Sequence, residues 1–132
     1  MSETRSVIVE RDIAFPPEKI WRALTQPALI EEWLMRNDFQ PELGHGFTLS
    51  GDWGAVNCEV TEIDPPSSLA YTWSAFGLES VVTWTLTLTA RGTHLRMEQA
   101  GFAADQTQFY SGAAASWPNF IGQLEGVVAR LD

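Results

Sequence analysis

Cysteine occurs once in these 132 residues, histidine twice, and lysine and arginine together only eight times. The lone Cys58 excludes an internal disulfide, and no N-terminal apolar run reads as a secretion signal, so a reducing cytoplasm is the expected setting. His45, His94 and Cys58 fall in different predicted strands or turns, too few and too scattered to converge on a metal, so neither metal nor cofactor is expected. The few basic residues are dispersed along a chain of formal net charge -9 and pI near 4.5. Such a chain repels a phosphate backbone or an anionic bilayer, which argues against nucleic acid and membrane as partners. An apolar run of about 20 residues, the length needed to span a bilayer, is lacking. There is no glycine-rich phosphate loop either: Gly44 and Gly46 flank His45 ahead of a strand and read as a turn.

What is present is a globular composition, 45% hydrophobic and 19% charged, in a length that fits one domain over residues 1–132 with a sizeable core. Tryptophan, at six residues, is the unusual abundance, and it serves best where large apolar area and an orientable N–H are needed together.

The C-terminal stretch from Asp105 to Leu131 organises the rest. At 100° per residue, Phe109, Ala113, Trp117, Phe120, Ile121, Leu124, Val127, Val128 and Leu131 share one broad stripe, which predicts a long amphipathic helix. Aromatic residues occupy the first half of that stripe and aliphatic residues the second. The aliphatic end is expected to anchor, while the aromatic end faces a less tightly filled space. Pro118 removes a backbone donor inside the pattern and predicts a kink near Ala114 to Trp117. Gly122 and Gly126 each weaken the helix by about 1 kcal/mol, so it depends on packing against a sheet.

From the N-terminus, Ser6 to Phe15 alternates as a strand with Val7, Val9, Arg11, Ile13 and Phe15 on one side. Pro17 opens a short helix with Ile20, Trp21 and Leu24 on its apolar face, and Pro27 opens a second with Leu29, Ile30, Trp33 and Leu34. Beyond Phe39 the period changes to two. Strands are expected at Gly46 to Ser50, Ala55 to Ile63, Leu69 to Ser74, Val82 to Thr89 and Thr93 to Gly101. In the fourth of these, Val82, Trp84, Leu86 and Leu88 form the inward face against a threonine face. Strands grouped between helices, with short connections, predict an α+β fold in which an antiparallel sheet of about six strands curls around the long helix.

Four segments in this order, RDIAFPPEKIWRALTQPALIEEW, VTEIDPPSSLAYTW, VTWTLTLTARGTHLRMEQAGF and SWPNFIGQLEGVVARL, resemble the SRPBCC or START-like superfamily. Within it they are most similar to the activator of heat-shock-protein-90 ATPase homologue-like family. The resemblance spans nearly the whole chain and implies a helix-grip fold with a deep apolar cavity between sheet and helix. Arg11, Trp33 and Trp73 match frequent family positions. The chain departs from the family pattern at Phe15, where a small residue is common, at Ser116, where glycine is common, and at Gln99, where histidine is common.

The residues expected to line the cavity are Arg11, Trp33, Phe39, Trp53, Tyr71, Trp73, Phe76, Met97, Gln99, Phe109, Ala113 and Trp117, whereas Trp21 and Trp84 read as core. An inward arginine at position 11 must be paired, either with a core carboxylate or with the polar end of a ligand. Glu59 and Glu98 have the period of a solvent face, and Trp73 to Gly77 forms a flexible aromatic turn that could act as a lid. No nucleophile and base occur in a recognisable motif, so no catalytic residue is assigned. The leading expectation is the binding of a small, largely apolar molecule, aromatic or lipid-like, by a monomer or homodimer. A protein-interaction role with a chaperone partner, as the resemblance implies, ranks second, and a cavity enzyme of the cyclase or hydrolase kind third.

Overall fold

The alternation at the start of the chain becomes strand β1 (Thr4–Ile13) in the computed structural model, which describes residues 4–52 and 54–131. Val7 and Ile13 are buried from one face of β1, whereas Ile8 on the other is 47% exposed. Pro17 occupies the first turn of α1 (Pro17–Thr25), where its missing N–H costs nothing, and Ile20, Ala23 and Leu24 bury one side. Gln26 then leaves helical geometry, and Pro27 opens α2 (Pro27–Trp33). The face of α1 differs from expectation: Trp21 is only partly buried, packed against the rim of the core, and Ala23 takes the inward position.

The sheet then builds as β2 (Arg36–Asn37), β3 (Gly46–Gly51), β4 (Gly54–Asp64), β5 (Ser68–Ala75), β6 (Leu78–Thr89) and β7 (Gly92–Ala103). β2 was not expected, because two residues carry no periodicity; its assignment rests on pairing Arg36 and Asn37 with Ser50 and Leu49. All seven strands form one antiparallel sheet in the order β1-β7-β6-β5-β4-β3-β2. The helix pair therefore carries the chain from one edge of the sheet to the other, and the meander returns it to pair β7 with β1. Two bulges bend the sheet. Thr61 is the extra residue opposite the Tyr71 to Ala70 step of β5, and Gly101 is the extra residue opposite the Arg5 to Ser6 step of β1. Gly101 has φ 118°, and a Cβ there would come within 2.8 Å of the Glu79 carbonyl oxygen, so only glycine fits.

Helix α3 (Thr107–Arg130) lies in the concave side of the sheet, packed on β1, β7, α1 and α2. Trp117, Ile121, Leu124, Val127 and Val128 bury its inner stripe, and the helix continues unbroken through Pro118. Pro118 and Ala114, whose carbonyl loses its i+4 donor, are both exposed, so water can satisfy that oxygen and the helix tolerates the proline. A second departure concerns Leu88: it extends the inward face of β6 by alternation, yet is 72% exposed at the strand's end, beyond the reach of the helices.

Candidate functional site

The second half of α3 is seated tightly, whereas its first half stands over the β5–β6 hairpin across a cavity of about 360 Å³. That volume is in the range of small-molecule pockets, about 300–1,000 Å³. Phe109, Gly112, Ala113, Ser116, Trp117 and Phe120 recur at helical spacing and form the α3 wall. Trp73 and Ala75 of β5, Phe76 of the turn, Leu78 of β6 and Gln99 and Phe102 of β7 form the sheet wall, and Met35 closes one side.

Trp117 is where core and cavity meet. Its ring packs edge-on to Trp84 at 5.8 Å between centroids, and Trp84 in turn meets Trp33 at 5.6 Å, so one side of the indole continues the core. On the other side it faces Trp73 at 5.4 Å, tilted by 60°, and Phe120 at 5.7 Å. Such offset and edge-on pairs are worth about 0.5–1.5 kcal/mol beyond the area they bury. The Trp117 indole N–H donates to Oε1 of Gln99 at 2.7 Å, Nε2 of Gln99 donates to Oγ of Ser80 at 3.0 Å, and that hydroxyl donates to the Trp73 carbonyl at 2.9 Å. Because an indole can only donate, the chain of bonds also fixes which end of the amide is oxygen. Among the described residues, no buried side-chain polar atom lacks a partner.

The rim is built from two connections. Ala75 pairs with Leu78 around the two-residue turn Phe76–Gly77, in which both residues have positive φ, 54° and 86°. That geometry matches a tight hairpin but is unusual for a bulky aromatic residue. Phe76 is 66% exposed, and its ring rests on Gly54, where a Cβ would lie 2.9 Å from Cζ. Gln106, ahead of α3, ties the turn to the helix: its Nε2 donates to the Gly77 carbonyl at 3.3 Å, while its Oε1 accepts from the Ala103 amide at 2.9 Å.

Of the residues expected from the sequence, Trp73, Phe76, Gln99, Phe109, Ala113 and Trp117 stand on the cavity wall. Trp33, Phe39, Tyr71 and Met97 are instead packed into the core. Trp33 donates its indole N–H to the Ala23 carbonyl at 2.8 Å, Phe39 lies edge-on to Phe47 at 5.0 Å, and Tyr71 accepts the Trp84 indole N–H at 3.0 Å. Arg11 is not among the cavity residues: it reaches α3 across Gly122 and meets Glu125 at 3.0 Å, a carboxylate, but a partly exposed one and not the core carboxylate expected. Trp53 lies outside the described residues. Eight wall residues were not expected, among them the aromatic Phe102 and Phe120. Phe120 belonged to the helix stripe, and Phe102 is turned inward by the Gly101 bulge, which shifts the alternation of Leu95, Met97 and Gln99 by one residue.

The reactive groups lie elsewhere. Burial, with a smaller contribution from Asp38, pushes the Cys58 thiol up to about 12, so it remains protonated and non-nucleophilic. Burial likewise raises Tyr71 well above its ordinary value. His45 contacts the Asp38 carbonyl at 3.2 Å, Glu98 pairs with Arg96 at 3.0 Å, and the Glu59 backbone N–H donates to Thr72. His94 sits on the outer sheet face between Glu10 and Asp12, at 3.0 and 2.8 Å. Among the described residues there is no cluster of metal-ligating side chains and no helix long and apolar enough to cross a membrane.

An antiparallel sheet curved around one long C-terminal helix, with a helix pair bridging its edges, is the helix-grip architecture of SRPBCC-type proteins. The family model described as activator of Hsp90 ATPase homolog 1-like protein matches residues 14–129, and the chain belongs to that family. The Mesorhizobium loti protein MLL2253 is similar at 56% identity, with a TM-score of 0.94 over 97% of this chain and 99% of that one. The Bacillus halodurans protein BH1534 is 25% identical, with a TM-score of 0.84 over 97% and 99% of the two chains. The fold alone is shared with a subunit of the Aha1 dimer from Colwellia psychrerythraea, 17% identical with a TM-score of 0.85 over 94% and 96%. Comparison with curated proteins finds no match.

Proposed function

We propose that the protein binds a small, largely apolar molecule between the β5–β6 hairpin and the first half of α3, with Trp73, Phe76, Gln99, Phe109, Ala113 and Trp117 as its contacts. The observation that carries this reading is the 360 Å³ cavity itself, walled by aromatic rings and one buried amide, at the end of the helix where packing gives way. Concave, mostly apolar sites with few polar groups are the usual form of a small-molecule pocket. The single buried Cys58 thiol fits a reducing cytoplasm as the place of action.

The direct test is to denature the purified protein and search the released fraction for a bound compound by mass spectrometry, with a parallel tryptophan-fluorescence screen of apolar compounds. A stoichiometric compound, or a saturable change in emission abolished by filling the cavity with Ala113→Trp, supports the reading. An empty fraction and no saturable response across the screen would overturn it.

A second reading, docking to a chaperone, is favoured by Phe76, an aromatic side chain 66% exposed at a hairpin tip in a chain of this family. Association with a purified Hsp90 that is lost on Phe76→Ser would support it, and no association at micromolar concentrations would count against it.

A further inference from the structure

The cavity and the rest of the surface differ sharply in charge. Charged residues make up 19% of the chain, yet none of the described side chains lining the cavity is ionisable. An adjoining surface groove shares Met35 and Phe120 with the cavity and carries Glu31, Asp52 and Arg36, so acids outnumber the one cation there. Arg11, which could have met an acidic ligand, is engaged by Glu125 at 3.0 Å. A carboxylate or phosphate drawn into this space would lose its hydration and meet no compensating charge, in a protein whose net charge of -9 already disfavours anions. An ammonium group would find no carboxylate on the wall.

One polar side chain is nevertheless built into that wall. Gln99 is 2% exposed, while the other amide and the hydroxyl that line the space, Gln108 and Ser116, are exposed to water. Its amide can make four hydrogen bonds, two through each end. The structure uses one at each end, from Trp117 to Oε1 and from Nε2 to Ser80. One N–H and one lone pair therefore remain, held rigidly by a network that is otherwise complete. A neutral hydroxyl can use either, and a carbonyl can use the N–H. Beside this amide the indoles of Trp73 and Trp117, packed against each other at 5.4 Å, line the same wall with Phe76, Phe102, Phe109 and Phe120, and such aromatic walls pair favourably with a planar ring.

Resting on the reading of this cavity as a ligand site, we infer that its occupant is an uncharged planar ring compound bearing one neutral hydroxyl or carbonyl, which Gln99 receives. Gln99 is thereby the residue that sets polarity and Trp73 and Trp117 those that set shape. Fatty acids and other compounds that must bury an ionised head group are rejected.

Three probes of one ring size test this by calorimetry near neutral pH: 2-naphthol, 2-naphthoate, which is ionised, and naphthalene. We expect naphthol to bind more tightly than naphthalene, and naphthoate to bind at least about tenfold more weakly than naphthol. Gln99→Leu should remove the advantage of naphthol over naphthalene. Naphthoate binding as well as naphthol overturns the exclusion of charge while leaving the ligand site standing. Equal binding of naphthol and naphthalene to the unaltered protein overturns the role of Gln99, and this comparison decides the matter even if the variant does not fold. Failure of all three to bind contradicts the ligand site itself.

Discussion

Trp117 on α3 and Gln99 on β7 are joined by a 2.7 Å hydrogen bond between two side chains that are each 2% exposed. It is the polar fastening between helix and sheet at the margin where the core opens into the cavity. Removing either partner strands the other, since a buried group without its bond costs about 1–3 kcal/mol. Trp117→Phe and Gln99→Leu should each lower stability by about that amount in urea unfolding. The double variant should cost less than the sum of the two, because no orphan is left behind. Simple additivity would show that the bond contributes nothing of its own.

Phe76 illustrates a local rule broken at a rim. At φ 54° a phenylalanine is strained by about 1–3 kcal/mol, whereas asparagine adopts this region readily. Phe76→Asn should leave the melting temperature unchanged or higher while weakening the uptake of an apolar ligand. A fall of several degrees would mean that the ring's contact with Gly54 is structural and outweighs the strain.

Two glycines separate backbone need from mere tolerance. Gly126 lies on the exposed side of α3 with nothing within 4 Å of an added Cβ, so Gly126→Ala should stabilise the protein by about 1 kcal/mol through helix propensity. Gly92 has φ 149°, and a Cβ there would collide with the Ile13 carbonyl oxygen, so Gly92→Ala should cost about 2 kcal/mol or more. Thermal melts of the two variants should move in opposite directions.

The same contrast explains how much the sequence discloses. The α3 stripe, the proline-initiated helices and the alternating strands are local patterns, and they became the elements expected of them. Five of the twelve expected cavity residues, Arg11, Trp33, Phe39, Tyr71 and Met97, proved to be elsewhere for non-local reasons. Trp33, Phe39, Tyr71 and Met97 point inward, as alternation or helical spacing requires, but whether an inward ring meets another ring or a void depends on how α3 diverges from the sheet. Arg11 was legible as needing a partner, yet only tertiary packing brings Glu125, 114 positions away, beside it. Phe102 had a local signal in Gly101, whose place inside a strand marks a bulge and reverses the alternation after it.

His94 gives the outer face a pH dependence. Its pKa is raised from the ordinary 6.5 by hydrogen bonds to Glu10 and then Asp12. A folded-state pKa above the unfolded one means that this cluster stabilises the fold fully below about 6.5 and loses that contribution as pH rises through the raised value. The side chain lies at the solvent-facing surface and is 38% exposed, so the effect should shrink in high salt. An NMR titration should place His94 above 6.5, and His94→Gln should flatten the corresponding slope in stability against pH. A titration point at or below the ordinary value would contradict the pairing.

The most direct test follows the tryptophan indole N–H signals by NMR as an uncharged apolar probe such as 2-naphthol is added. Trp117 and Trp73 border the cavity, while the Trp33 indole N–H is bonded to the Ala23 carbonyl within the core. We expect the first two signals to shift saturably and that of Trp33 to remain in place. No saturable shift at Trp117 or Trp73, or equal shifts at all three, would contradict a ligand site at this end of the helix.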